Sequence, residues 1–258
     1  MEIDSKFRNL RVKIRKNAKS IMADVLLRHV QKLSEKEKSK IEICIFCSSH
    51  DNITKEHVLP KWTFGKSTET FFTTNINGVD QTYNKSTVPA CAECNNNLLA
   101  GIESYLITLF KNIDLSKSFF NNDEIQNIIR WLEIIEYKFQ ILQIRRKFTK
   151  AKWGEYLSYL SDIPVSIMRE NIDSPYQAIA EIRLSQKRLT IKSKTENVNS
   201  LVIFKTTNKS FHFFHHLNSF IYLELPEFKI AMFYFYSSQF ENAKDGHDEA
   251  MKIIEEVY

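Results

Sequence analysis

The four cysteines of this chain stand as two pairs, Cys44-x-x-Cys47 and Cys91-x-x-Cys94. Each C-x-x-C is a tight turn that points two sulfurs inward, and two such turns supply the four ligands of a tetrahedral structural zinc site. No other feature constrains the fold as much, because it forces two segments more than forty residues apart to meet at one point. Two redox motifs or buried inert thiols are the alternatives. Neither explains why the pairs bracket an acidic-His segment, Thr54-Lys55-Glu56-His57-Val58-Leu59-Pro60.

Four cysteines among 258 residues are too few for a disulfide scaffold, and the first residues, Met1 to Lys6, lack the apolar core of a secretory signal. A reducing, cytoplasmic location is therefore expected. No apolar run approaches the roughly 20 residues of a membrane-spanning helix, so no membrane partner is expected either. A hydrophobic content of 43% allows a real core, in one large domain or two smaller ones.

The net charge of +5 is uneven. Residues 1–40 hold twelve Lys and Arg against five Asp and Glu, a surplus of seven, which leaves the remainder at minus two. Lys6, Arg8, Arg11, Lys13, Arg15, Lys16 and Lys19 read as a basic arm ahead of an amphipathic helix over Ile21–Leu33. Such an arm is either a solvated face or a phosphate-binding surface.

Farther along, Phe71–Thr74 and Val79–Tyr83 read as paired strands about the turn signal Asn75-Ile-Asn77-Gly78. A helix follows Cys94 through Phe110, and a long helix over Ile125–Phe148 is apolar nearly all round, which implies burial on every side. A further helix is expected over Lys152–Asp162. Strand patterns are expected at Ala178–Leu184, Arg188–Lys192, Leu201–Phe204, Phe220–Leu225 and Lys229–Tyr236, with a closing helix over Gln239–Tyr258. His212, His215 and His216 alternate with aromatic residues and read as a packed β surface rather than a metal site.

Glu56 and His57 carry the chemistry this pattern offers. A carboxylate can hold a divalent ion while an adjacent imidazole takes a proton from water, and a helix starting after Cys94 brings the Asn95 amide oxygen opposite. The set Cys44-x-x-Cys47, Glu56-His57-Val58-Leu59-Pro60 and Cys91-x-x-Cys94-Asn95, followed by Gly101 and Glu103, resembles the HNH endonuclease family, in its branch with paired zinc knuckles. The resemblance covers roughly residues 41–105 and implies a ββα-metal fold, a hairpin laid against a helix around one divalent ion.

On that resemblance His57 is the general base, Glu56 and Asn95 are metal ligands, and Asn84 is the middle asparagine that orients the loop bearing the base, with Asn77 a poorer candidate. Carboxylate and amide oxygens suit Mg²⁺ or Mn²⁺. Glu103 is either a second hydrogen-bond partner near the ion or a solvated helix residue. The expected class is α+β: a basic arm and amphipathic helix over 1–40, a zinc-stapled HNH module over 41–112, and a body over 113–258 of helices followed by an antiparallel sheet. The expected activity is hydrolysis of nucleic acid, DNA first. A second protein subunit that delivers or restrains it, as in bacterial defence against phage, is the partner the resemblance suggests. The alternative is a zinc-knuckle binding or assembly module with a silent centre.

Overall fold

A computed structural model describes residues 2–30, 42–64, 73–76, 79–82, 85–114, 120–147 and 175–257. The first element is a single helix, α1 (Glu2–Val30). Phe7, Leu10, Ile14, Ile21 and Val25 recur at helical spacing and are all buried; each contributes about 1.5–3 kcal/mol by leaving water. The basic residues expected to form a separate arm are thus the outer face of this helix. Arg8, Arg15, Lys16 and Lys19 are exposed, while Lys6 and Lys13 reach across to the helix after Cys94, Lys6 to the Asn97 carbonyl and Lys13 to Glu93. The Lys6 stem crosses Gly101, where a Cβ would lie 2.5 Å from Lys6 Cε, so a larger residue there would push the flexible end of Lys6 aside.

Next come β1 (Ile53–His57) and a single helical turn, α2 (Lys61–Phe64). A hairpin of β2 (Thr73–Ile76) and β3 (Val79–Thr82) falls where the turn signal put it. β4 (Thr87–Cys91) returns antiparallel to β1, with Ile53 opposite Cys91 and His57 opposite Thr87. A π-helical turn, Glu93–Leu99, then runs into α3 (Ala100–Lys111). β1, β4 and the helix are therefore neighbours around the second cysteine pair, with the β2–β3 hairpin inserted between the two strands in chain order.

The long helix α4 (Asn122–Lys147) begins at a capping box: Asn121 Oδ1 accepts the Asp123 and Glu124 amides, and Glu124 Oε2 accepts the Asn121 amide at 2.8 Å. From Ile128 to Leu142 it is enclosed by α1, the hairpin, the next helix and the C-terminal sheet. Neither it nor the aromatic strands are spare surface; both belong to the chain's own core. Polar groups caught on such a helix need partners. Tyr137 donates to the Ile45 carbonyl at 2.6 Å, and Glu133 pairs with Lys194 at 2.6 Å. We expect Tyr137→Phe, which strands the buried Ile45 carbonyl, to cost about 1–3 kcal/mol in urea unfolding while leaving cysteine reactivity unchanged.

One segment departs from the sequence expectation. Residues 178–184 and 188–192, read as strands, lie mostly within the helix α5 (Pro175–Thr190), with Ile191 and Lys192 just beyond its end. The alternation in Ala178–Leu184 imitates a strand, but Ile182, Ser185, Gln186 and Leu189 form a buried i, i+3, i+4, i+7 stripe, Arg188 is buried beside it, and Leu184 is left exposed. Contact with α1 and α4 decided the matter. Beyond it lie β5 (Leu201–Lys205), β6 (Phe213–His216), β7 (Phe220–Leu225) and β8 (Ile230–Phe235), in the antiparallel order β5-β8-β7-β6. One face, with Ile221, Leu223, Met232 and Tyr234, joins the core around α4. The other, with Tyr222, Phe233 and Phe235, is covered by the closing helix α6 (Ala243–Val257) through Ala250, Ile253 and Ile254. The chain is α+β, as expected. The helix expected over Lys152–Asp162 lies outside the described residues.

Candidate functional site

Cys44 and Cys47 flank the turn before β1, Cys91 ends β4, and Cys94 lies in the first turn of the helix that follows. Their sulfurs all lie within 4.8 Å of one another, and Cys47 Sγ is 3.5 Å from Cys91 Sγ. A disulfide needs about 2.05 Å, whereas sulfurs around one tetrahedral zinc sit about 3.8 Å apart. The turn geometry is built for this. Ser48 takes φ 56, its amide returns to the Cys44 carbonyl, and the amides of Phe46 and Cys94 point at the sulfurs of Cys44 and Cys91.

The thiols also hold one another. Hydrogen bonding from Cys94 draws Cys44 down to about 5, while burial pushes Cys47 up to about 12 and Cys94 is raised by its bond to Cys44. One thiolate can exist unaided in so small a volume, and four require a cation. The tetrad could hold a structural zinc. Among the described residues it is the one group of three or more His, Cys, Asp or Glu close enough to bind a metal.

Glu56 occupies the fourth position of β1, and its side chain is nearly buried, 9% exposed. Lys138, from the middle of α4 and 1% exposed, places Nζ 2.7 Å from Glu56 Oε1 and 2.9 Å from the His57 carbonyl oxygen. Asn95 donates from Nδ2 to the Thr54 hydroxyl at 2.9 Å, and that hydroxyl donates to the Ala90 carbonyl. Thr54 and Glu56 share a face of β1 by strand alternation, so the structure brings Asn95 and Glu56 to the same side of the hairpin. His57 stands at the strand's end, half-buried, and by the same alternation its side chain leaves β1 on the face opposite Glu56, one residue before the chain turns toward Pro60. Asn84 and Asn77 lie outside the described residues.

Glu103 does not fall where eight residues of regular helix would carry it, because the π-helical turn at 93–99 resets the register. Burial pushes the Glu103 carboxyl from the ordinary 4.5 up to about 7, and the charges of Lys138 and Glu56 both reach it, the first lowering it and the second raising it. Trp62 is stacked on Trp131 and edged by Phe228, so this corner is a dry one.

That shift carries a sign. The folded chain holds the Glu103 proton up to about 7 and the unfolded chain releases it near 4.5, so stability falls as pH rises through this window and levels off above it. We expect Glu103→Gln to flatten that slope and to stabilise the protein by up to about 3 kcal/mol in urea unfolding at about pH 8, with little change at about pH 4.

Mg²⁺ or Mn²⁺ at Glu56 meets an obstacle. An oxygen that would ligate the ion already carries a buried ammonium, so the donor set does not fit a divalent ion while Lys138 is in place. Sequence reasoning overlooked Lys138. The signal was present: a lysine in the middle of a helix apolar on all sides has to be paired. The three histidines of 212–216 behave as a packed surface, with His212 on Glu224, His215 on Glu136 and His216 on Ser219. Comparison with known protein families, curated proteins and solved structures finds no match to the chain.

Proposed function

We propose that the chain is a nuclease of the HNH kind, hydrolysing phosphodiester bonds of nucleic acid, DNA first, with His57 as the general base. One observation carries this reading. The β1–β4 ladder, whose first strand ends in His57, is fastened by the cysteine tetrad to the start of a helix that bears Asn95, with Glu56 and Asn95 on one side of β1. The Lys138 ammonium pins the His57 carbonyl, so the backbone under the imidazole is held at 2.9 Å by the core helix. A base fixed in this way can accept a proton from a water aimed at phosphorus without first being ordered. The expected products carry 5′-phosphate and 3′-hydroxyl ends.

The test is cleavage of supercoiled plasmid, single-stranded DNA and RNA by the zinc-loaded chain, with added Mg²⁺ or Mn²⁺ and without either. Cleavage of any of the three supports the reading, and retention of all three intact under every condition overturns it. A second reading, a zinc-stapled nucleic-acid-binding or assembly module with a silent centre, is favoured by the ion pair that occupies Glu56. Binding of nucleic acid without cleavage would support it.

A further inference from the structure

We propose that Lys138 is the resident cation of this centre: its ammonium fills the position between the Glu56 carboxylate and the His57 carbonyl, and a divalent ion is excluded there. The occupancy stands on geometry alone, and its consequence for catalysis rests on the nuclease reading. Nζ lies 2.7 Å from Glu56 Oε1 and 2.9 Å from the His57 oxygen, the two kinds of oxygen that a hard cation would seek. The Lys138 charge also reaches Glu103, whose carboxyl it pulls downward against the larger upward push of burial.

The lysine has no easy way out. It leaves α4 between Tyr137 and Phe139, both buried, and is itself 1% exposed. Tyr137 is tied to the knuckle through the Ile45 carbonyl, and Phe139 is stacked on Phe213 and His215 of the sheet. To reach Glu56, an ion would have to displace a charge that the central helix holds from the inside, and the displaced ammonium would be left in an apolar core. The centre therefore has a built-in monovalent charge where the sequence pattern suggested an exchangeable divalent one, and phosphodiester cleavage here proceeds without a divalent ion bound to Glu56.

Paramagnetic titration of the zinc-loaded full chain with Mn²⁺ tests this without reference to activity. Wild type should show no saturable Mn²⁺ binding that depends on Glu56. Lys138→Met should gain a site about tenfold tighter or more, and Lys138→Met combined with Glu56→Gln should lose it again. A folded Lys138→Met with no gain overturns the proposal, as does wild type binding Mn²⁺ at a site that Glu56→Gln abolishes. Should Lys138→Met fail to fold, the comparison of wild type with Glu56→Gln alone decides. A wild type that cleaves nothing would remove the nuclease reading and leave the Mn²⁺ result to judge Lys138.

Discussion

Wild-type protein purified with zinc should carry one ion per chain, and Cys94→Ser should carry none and lose the hairpin-to-helix corner. The expected effect is large even though Lys138 and Tyr137 also fasten this corner to α4, because the metal is what joins the two cysteine pairs to each other. β1 and β4 form a two-stranded sheet, and such a ladder is marginal in water without further packing. Zinc held by four thiolates contributes about 10 kcal/mol or more of apparent binding free energy near neutral pH, comparable with the whole stability of an ordinary domain. Losing one ligand also leaves thiols crowded within 4.8 Å of one another, where their charges repel.

Serine at position 94 should lower the unfolding midpoint, expose the remaining cysteines to thiol reagents, and be imitated by a strong chelator acting on wild type. Acid should act in the same direction, because protons compete with zinc for thiolates. Cys47, pushed up to about 12 without metal, is a group that zinc must force to ionise. A Cys94→Ser protein that retains stoichiometric zinc and an unchanged midpoint would show that the tetrad is not the zinc site.

The parts of the molecule that were legible in the sequence share a physical trait: their signal is local. The cysteine pairs, the hairpin about residues 77–78, and the strands at 220–225 and 230–235 follow from spacing, turn chemistry and β-branched or aromatic runs. Misreadings arose where a tertiary contact outweighed the local pattern. Ala178–Leu184 alternates like a strand, yet Ile182, Ser185, Gln186 and Leu189 meet α1 and α4 as a helix face. The basic residues at the start look like a free arm until Phe7, Leu10 and Ile14 are seen to bind that same helix to the core.

The site divides along the same line. The positions of Glu56 and His57 on a strand end follow from their place between the cysteine pairs, and that of Asn95 at a helix start from its place just after the second. What sits on Glu56 does not, because its partner is 82 residues away on another element. Glu103 shows a subtler limit. Its place depends on whether the turn before it is α or π, and the Asn95-Asn96-Asn97 run gives no indication of that.

His57→Ala should abolish cleavage while leaving fold and zinc content as in wild type. Removing a positioned general base costs about a hundred- to ten-thousand-fold in rate, enough to turn complete nicking of a plasmid into none over the same time. The structural cost should be small, because the imidazole is half-buried at a strand end and the contact that anchors this residue to the core uses its carbonyl, which alanine keeps. That separation makes the variant informative: Lys138 still holds the backbone and the ladder to Thr87 is still made when the imidazole is gone. Added imidazole should restore part of the rate if the side chain acts as a base, and should do nothing if it acts only by packing. A His57→Ala protein that cuts at the wild-type rate would take His57 out of the chemistry, and one that loses zinc together with activity would mark it as a structural residue of the knuckle.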